Sequence, residues 1–147
     1  MRAGRWSEEG RYYLVTTVTA GRRCVFERPD AAQVVLDCFA WLEQHGRIRR
    51  LSVVVMPDHV HAVIELRTVS LPAVMHSLKS FTAKAVNAID ARSGPVWQRQ
   101  YHETALRDES GVVEAIRYCV LNPVRGGLAA VPGQFPFCFC VFPIDSL

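Results

Sequence analysis

The chain has 147 residues, half of them hydrophobic and 21% charged, with a net charge of +3, the profile of an ordinary globular domain. No apolar run approaches the roughly 20 residues a membrane-spanning helix needs, and Met1 to Glu9 lack the apolar segment of a secretion leader. One domain over residues 1–147, in the cytoplasm and off the membrane, is the expectation.

Arg11 to Ala20 is rich in Tyr, Val and Thr and reads as a strand, followed by the basic turn Gly21-Arg22-Arg23. Pro29-Asp30 opens a helix in which Ala31, Val35, Cys38/Phe39 and Leu42 recur at helical spacing, with Gly46 as its stop. Arg49 to Met56 reads as a second strand. Pro57-Asp58 turns the chain tightly into a third, making a hairpin.

The third strand carries the most informative pattern. His59, His61 and Glu65 share one parity, while Val60, Ala62, Ile64 and Leu66 share the other. Strand side chains alternate between faces, so the apolar parity faces a core and the two imidazoles emerge together on the opposite face. Two neutral imidazoles at that spacing can hold a divalent metal; two surface histidines without a ligand are the plainer alternative.

Ser70 caps a long helix with Pro72 in its first turn. Leu71, Val74/Met75, Leu78, Phe81, Ala85 and Ile89 form its expected buried stripe, and Ser77, Ser80, Lys84 and Asn87 a polar one, either solvated or phosphate-contacting. After the Ser93-Gly94-Pro95 break, Val96 to Arg107 reads as another strand. A last helix spans about Ser110 to Leu121, ended by Pro123 and Gly126-Gly127.

The order strand, helix, strand, strand, helix, strand, helix predicts an α+β fold, a ferredoxin-like antiparallel sheet with packed helices. The apolar tail, 128–147, is expected to pack across the body. Five cysteines without Cys-x-x-Cys spacing predict reduced thiols used as small hydrophobes, with Cys138-Phe139-Cys140 a weak metal signal. Fifteen arginines against two lysines suit a phosphate-rich partner, though codon bias gives the same imbalance.

The last helix presents a second constellation. Val113, Ile116 and Val120 form an apolar stripe, Tyr118 lies away from it, and Asn122 follows Tyr118 by one turn on the same face, with Glu114 one turn before. Singly, Tyr118 reads as a packing residue with a wet tip and Asn122 as a helix terminator.

Four blocks taken together resemble the single-tyrosine HUH transposases, and among them the REP-associated tyrosine transposases. They are Met56-Pro57-Asp58-His59-Val60-His61; Met75 to Ala83; Val96-Trp97-Gln98-Arg99 with Tyr101-His102; and Arg117-Tyr118-Cys119-Val120-Leu121-Asn122-Pro123-Val124-Arg125-Gly126-Gly127, in this order within residues 11–127.

The resemblance implies metal binding by His59, His61 and Asn122, with Mg²⁺ or Mn²⁺ as cofactor. It implies Tyr118 as the nucleophile that forms a covalent 5′-phosphotyrosine and frees a 3′-hydroxyl on single-stranded, often hairpin-bearing DNA. A phenol ionises only near pH ~10, so such a nucleophile needs an activated phosphate. The covalent link conserves the energy of the phosphodiester bond, so the free 3′-hydroxyl can reverse the step without ATP, and the lack of a Walker-type glycine loop agrees with that expectation.

Tyr101 is the competing tyrosine, with cross-strand packing as its other reading. Lys79, Lys84, Arg99, Arg107, Arg117 and Arg125 surround the blocks as candidate DNA contacts, though each taken singly reads as an ordinary solvated charge. Trp97 reads as a core residue or as a platform for an unpaired base. Where relatives carry an aromatic-proline-Ser-Ser segment this chain has Phe135-Pro136-Phe137-Cys138, so DNA contacts there are not carried over. A decayed hairpin-binding protein and a metal phosphodiesterase without a covalent step are the rival readings. The chain acts as a monomer or a homodimer, with exchange of the last helix between chains possible in the second case.

Overall fold

The structure is a computed structural model describing residues 11–147; Met1 to Gly10, on which the leader expectation rests, lie outside the described residues. It contains β1 (Tyr12–Val18), α1 (Pro29–Gln44), β2 (Ile48–Met56), β3 (His59–Leu66), α2 (Leu71–Asp90), β4 (His102–Leu106), α3 (Glu109–Arg125) and β5 (Cys138–Cys140). The sheet order is β4-β1-β3-β2-β5 with every neighbour antiparallel. The first four strands with α1 and α2 form the expected ferredoxin-like unit; β5 extends it beyond β2.

The local signals behave as their chemistry requires. Gly46 takes the left-handed backbone (φ 71) that stops α1, and the Ser70 hydroxyl accepts a hydrogen bond from the Ala73 N–H at the start of α2. Val60, Ala62, Ile64 and Leu66 of β3 join Val53 and Val55 of β2 in a core closed by α1 and α2. On the other face Leu51, Val54, Met56 and Val63 pack against Ala115, Ile116 and Cys119 of α3.

That second layer lies over the histidine face. The parity split is as read; α3 covers His61, leaving it 6% exposed, while Glu65, 9% exposed, is paired with Arg49 and Arg67. Alternation shows which side chains share a face, whereas what packs upon that face is tertiary information.

Three expectations change. Pro123 does not stop the last helix, which continues to Arg125. Proline in a final turn deletes one hydrogen bond, here to the Cys119 carbonyl, and the helix tolerates it. The fourth strand is shorter than expected: only 102–106 form β4, while Trp97 makes one isolated bridge with Thr19. Phe81 is 58% exposed, because the buried stripe of α2 runs from Leu78 through Thr82 to Val86. Thr82 is drawn inside because its hydroxyl accepts the Trp97 indole N–H at 2.9 Å and donates to the Leu78 carbonyl at 2.6 Å. That bond places Trp97 in the core, not on a base-stacking surface.

The tail packs as expected, through β5, whose Cys138 and Cys140 pair with Val54 and Ser52 at the β2 edge. All five thiols are free; Cys38 and Cys119 are buried and Cys24 is exposed. Among the described residues no helix is long and apolar enough to cross a membrane.

Candidate metal and nucleophile site

His59 opens the central strand β3. It stands opposite Met56 of β2 and Val18 of β1, and His61 stands opposite Val54 and Thr16. The two rings lie 4.8 Å apart at 76°. Each Nδ1 is engaged: that of His59 with Asp58 Oδ1 at 2.7 Å, that of His61 with Thr16 Oγ1 at 2.7 Å. Nε2 is therefore the atom each ring has left for a ligand.

Burial under α3, with the charges of His59 and Arg125 nearby, pushes the His61 pKa down to about 4. At neutral pH its imidazole carries no charge and keeps a lone pair, as a metal ligand must. Glu65 shares their parity, but its carboxylate is committed to Arg49 at 3.1 Å and Arg67 at 3.2 Å. Among the described residues no three His, Cys, Asp or Glu side chains are grouped to hold a metal. A cation here would rest on the imidazole pair plus neutral oxygen donors, a set that suits Mg²⁺ or, for its readier acceptance of nitrogen ligands, Mn²⁺, and leaves positions for phosphate oxygen and water.

Helix α3 supplies the remaining groups. The Tyr118 ring meets the His61 ring edge-on, with centroids 5.2 Å apart, and stays 44% exposed. The Arg125 guanidinium lies 4.4 Å over the Tyr118 ring and donates to the Tyr118 carbonyl. Asn122 is buried one turn beyond Tyr118, within the part of the helix that continues through Pro123. The helix end sits tightly on the sheet: a Cβ at Gly126 would come within 3.0 Å of Met56 Cε.

The sequence pattern of the family described as "Transposase IS200 like" matches residues 8–118. The chain belongs to that family. It is thereby a transposase, one of the proteins of DNA transposition. It is 24% identical over 144 residues to an uncharacterised Haemophilus influenzae protein, covering 77% of this chain and 80% of that one. A second H. influenzae protein, provisionally assigned as a REP-associated tyrosine transposase, is 21% identical over 108 residues, covering 64% of this chain and 60% of the relative. The fold is similar to that of a REP-associated tyrosine transposase solved with a REP hairpin bound. The TM-score is 0.80 at 19% identity, over 99% of this chain and 90% of that one. A protein provisionally described as a transposase, from Deinococcus radiodurans, gives 0.54 at 21% identity over 80% and 95%.

The candidate DNA contacts of this transposase do not all gather at the histidines. Gln98 N–H bonds the Val18 carbonyl at 2.8 Å, so the segment carrying Arg99 lies at the His59 end of the sheet. Lys79 is tied to that segment by bonds to the Gln98 and Arg99 carbonyls at 2.6 and 3.0 Å, which commits its ammonium to the fold. Arg125 covers Tyr118, and Arg117 pairs with Glu114 at 2.9 Å. Arg107 follows β4 at the opposite end of the sheet, where Leu106 pairs with Tyr12. Lys84 lines a groove with Trp41 and Phe81 between α1 and α2, across the sheet from α3.

Tyr101 packs against the α1–α2 core, away from the histidine face, and burial together with Glu103 and Tyr13 pushes its phenol pKa up. Three residues at the site escaped the sequence reading: Thr16, Asp58 and Arg22. Asp58 stands in the motif block beside His59, where the local pattern marks it only as a turn former. Thr16 reaches the site through the β1–β3 register and Arg22 through the left-handed turn after β1, and no local pattern encodes either contact.

Proposed function

We propose that the chain is a metal-dependent transferase that nicks and rejoins single-stranded DNA through Tyr118. The observation that carries this reading is the contact of the Tyr118 ring with His61, which puts a phenol beside two imidazoles with free Nε2 atoms. His59, His61 and Asn122 would hold Mg²⁺ or Mn²⁺. When bound, such a cation withdraws charge from a non-bridging phosphate oxygen and makes the phosphorus a better target.

The Tyr118 oxygen attacks that phosphorus in line. A Tyr–O–P bond forms, the bond from phosphorus to the 3′-oxygen breaks, the phenol loses its proton and the departing 3′-oxygen gains one. Reversal by a 3′-hydroxyl rejoins the strand without an external energy source. Arg125, over the Tyr118 ring, is the best placed of the proposed phosphate contacts, and Arg99 lies at the His59 end of the sheet; Lys79 and Arg117 are engaged within the fold, and Lys84 and Arg107 lie away from the histidines.

The hairpin held by the structural neighbour supports hairpin-bearing single strands as the substrate class. Tyrosine and histidines meet within one chain, which supports a site that needs no helix exchange, in a monomer or in each half of a dimer. Action on DNA fits the cytoplasmic location expected from the sequence.

The test mixes protein, Mn²⁺ and end-labelled hairpin-bearing single strands and looks for an SDS-stable adduct. The adduct is expected in wild type and Tyr101→Phe and absent in Tyr118→Phe; the reverse pattern overturns the nucleophile assignment. Tight hairpin binding without adduct under any metal favours a decayed binding protein. A free 5′-phosphate product that persists in Tyr118→Phe favours a phosphodiesterase.

A further inference from the structure

We propose that Asp58 and Thr16 are positioning residues that determine which nitrogen each histidine offers to a divalent cation, with Arg22 holding Asp58 in place. This rests on the metal role proposed above for His59 and His61.

A neutral imidazole carries one N–H, and the nitrogen bearing it is closed to a metal. A carboxylate can only accept, so the 2.7 Å contact between Asp58 Oδ1 and His59 Nδ1 puts the proton on Nδ1 and leaves the Nε2 lone pair free. An ordinary aspartate carboxyl ionises near pH ~4, so at neutral pH it can only accept. Thr16 Oγ1 stands at the same distance, 2.7 Å, from His61 Nδ1 and gives the same tautomer when it accepts. Its β-branched side chain is stiff at χ1, and the β1–β3 register sets it directly opposite His61.

Asp58 is itself held from two directions. Arg22 Nε donates to its Oδ2 at 3.2 Å, and the Thr19 backbone N–H donates to its carbonyl at 2.9 Å, while the single proton of the Thr19 hydroxyl is directed to the Arg23 carbonyl at 2.7 Å. Arg22 adopts a left-handed backbone (φ 51) directly after Gly21 (φ 64). Left-handed backbone is disfavoured for a residue with a Cβ, and such strain persists where surrounding contacts over-determine it. In this loop the conformation delivers the guanidinium to Asp58. Partners on the second nitrogen of metal-bound histidines orient the ring and raise its basicity, and losing one typically costs about 10–100-fold in metal affinity.

Two readouts test this. In metal-free protein at neutral pH, long-range ¹H–¹⁵N spectra should show His59 and His61 as Nδ1–H tautomers. Asp58→Asn, whose amide can also donate, should move His59 toward the Nε2–H form, and Thr16→Val should do the same for His61. Mn²⁺ titration followed by EPR should then show each variant weakened by about 10–100-fold, with Arg22→Ala weakened less and the thermal midpoint nearly unchanged. Adduct formation should recover once Mn²⁺ exceeds the weakened Kd.

Wild-type tautomers and wild-type Mn²⁺ affinity in Asp58→Asn and Thr16→Val overturn the inference while leaving the metal reading intact. Failure of any Mn²⁺ concentration to restore Asp58→Asn also overturns it, by making Asp58 a ligand. Absence of Mn²⁺ binding in wild type sinks the metal reading, and the inference with it.

Discussion

Below pH 6.5 an unfolded chain protonates its histidines, whereas burial under α3 keeps folded His61 neutral down to about pH 4. Between those limits the unfolded state binds more protons, so stability falls as the pH is lowered through the window and is regained on the way back up. The shift corresponds to roughly 3 kcal/mol lost by pH 4, at 1.36 kcal/mol per pH unit. Urea midpoints of wild type and His61→Gln, measured from pH 7 to pH 4, should converge on acidification because only wild type carries this loss. Parallel profiles would contradict the buried, neutral state assigned to His61. The same neutrality makes the residue fit to bind a cation, so the strain imposed by the covering helix and its ligand competence have one cause.

At the scale of elements, α3 decides the site because it is both the lid on the histidine face and the carrier of Tyr118. Its N-terminus is held by Asp108, whose carboxylate accepts the Gly111 N–H at 2.7 Å. Asp108→Ala should cost about 1 kcal/mol in urea unfolding through loss of that cap. Adduct formation per folded molecule should be unchanged, since Tyr118 lies more than two turns downstream and is anchored by His61 and Arg125. A large loss of adduct at full foldedness would mean the helix is positioned from its start and not from its packed middle.

Much of this helix was legible beforehand. The Ile116 and Val120 stripe, the separate placing of Tyr118 and the i,i+4 relation to Asn122 follow from helical periodicity alone. The β3 parity was equally legible from Val60, Ala62, Ile64 and Leu66. That the last helix lies over the histidines is an expectation of the family resemblance and not of any local pattern. Nothing local says that Thr16 stands opposite His61, or that Thr82 is drawn inward by a tryptophan fifteen residues away. Those are facts of register and packing between distant segments. Pro123 misled for a related reason: its cost depends on how many helical bonds remain to be lost, and so near the helix end only one does.

For the molecule as a whole, the last twenty residues act as an edge strip on a sheet that the first four strands already complete. β5 pairs with β2, and the flanking backbone extends the ladder through Val55 N–H to Phe137 at 2.9 Å and Leu51 carbonyl to Val141 at 2.9 Å. Cys138, Cys140 and Phe135 pack half-buried on the α3-side cluster. Burial pushes the Cys138 thiol up to about 11 and Cys119 up to about 12, so these sulfurs pack as neutral hydrophobes and not as thiolates. Removing 128–147 should cost at least roughly 3 kcal/mol, taking the half-buried Phe135, Phe137 and Phe139 each at about half the ~1.5–3 kcal/mol of full burial. It should also expose Leu51 to Val55 as a bare apolar edge, which invites pairing with another chain. The truncated protein is expected to show a lower urea midpoint and concentration-dependent association by size exclusion. Any monomer that remains folded should still form the Tyr118 adduct, because His59, His61, Tyr118 and Asn122 all precede the cut. A truncated protein that stays monomeric and fully stable but loses hairpin binding would instead make the tail part of the DNA surface.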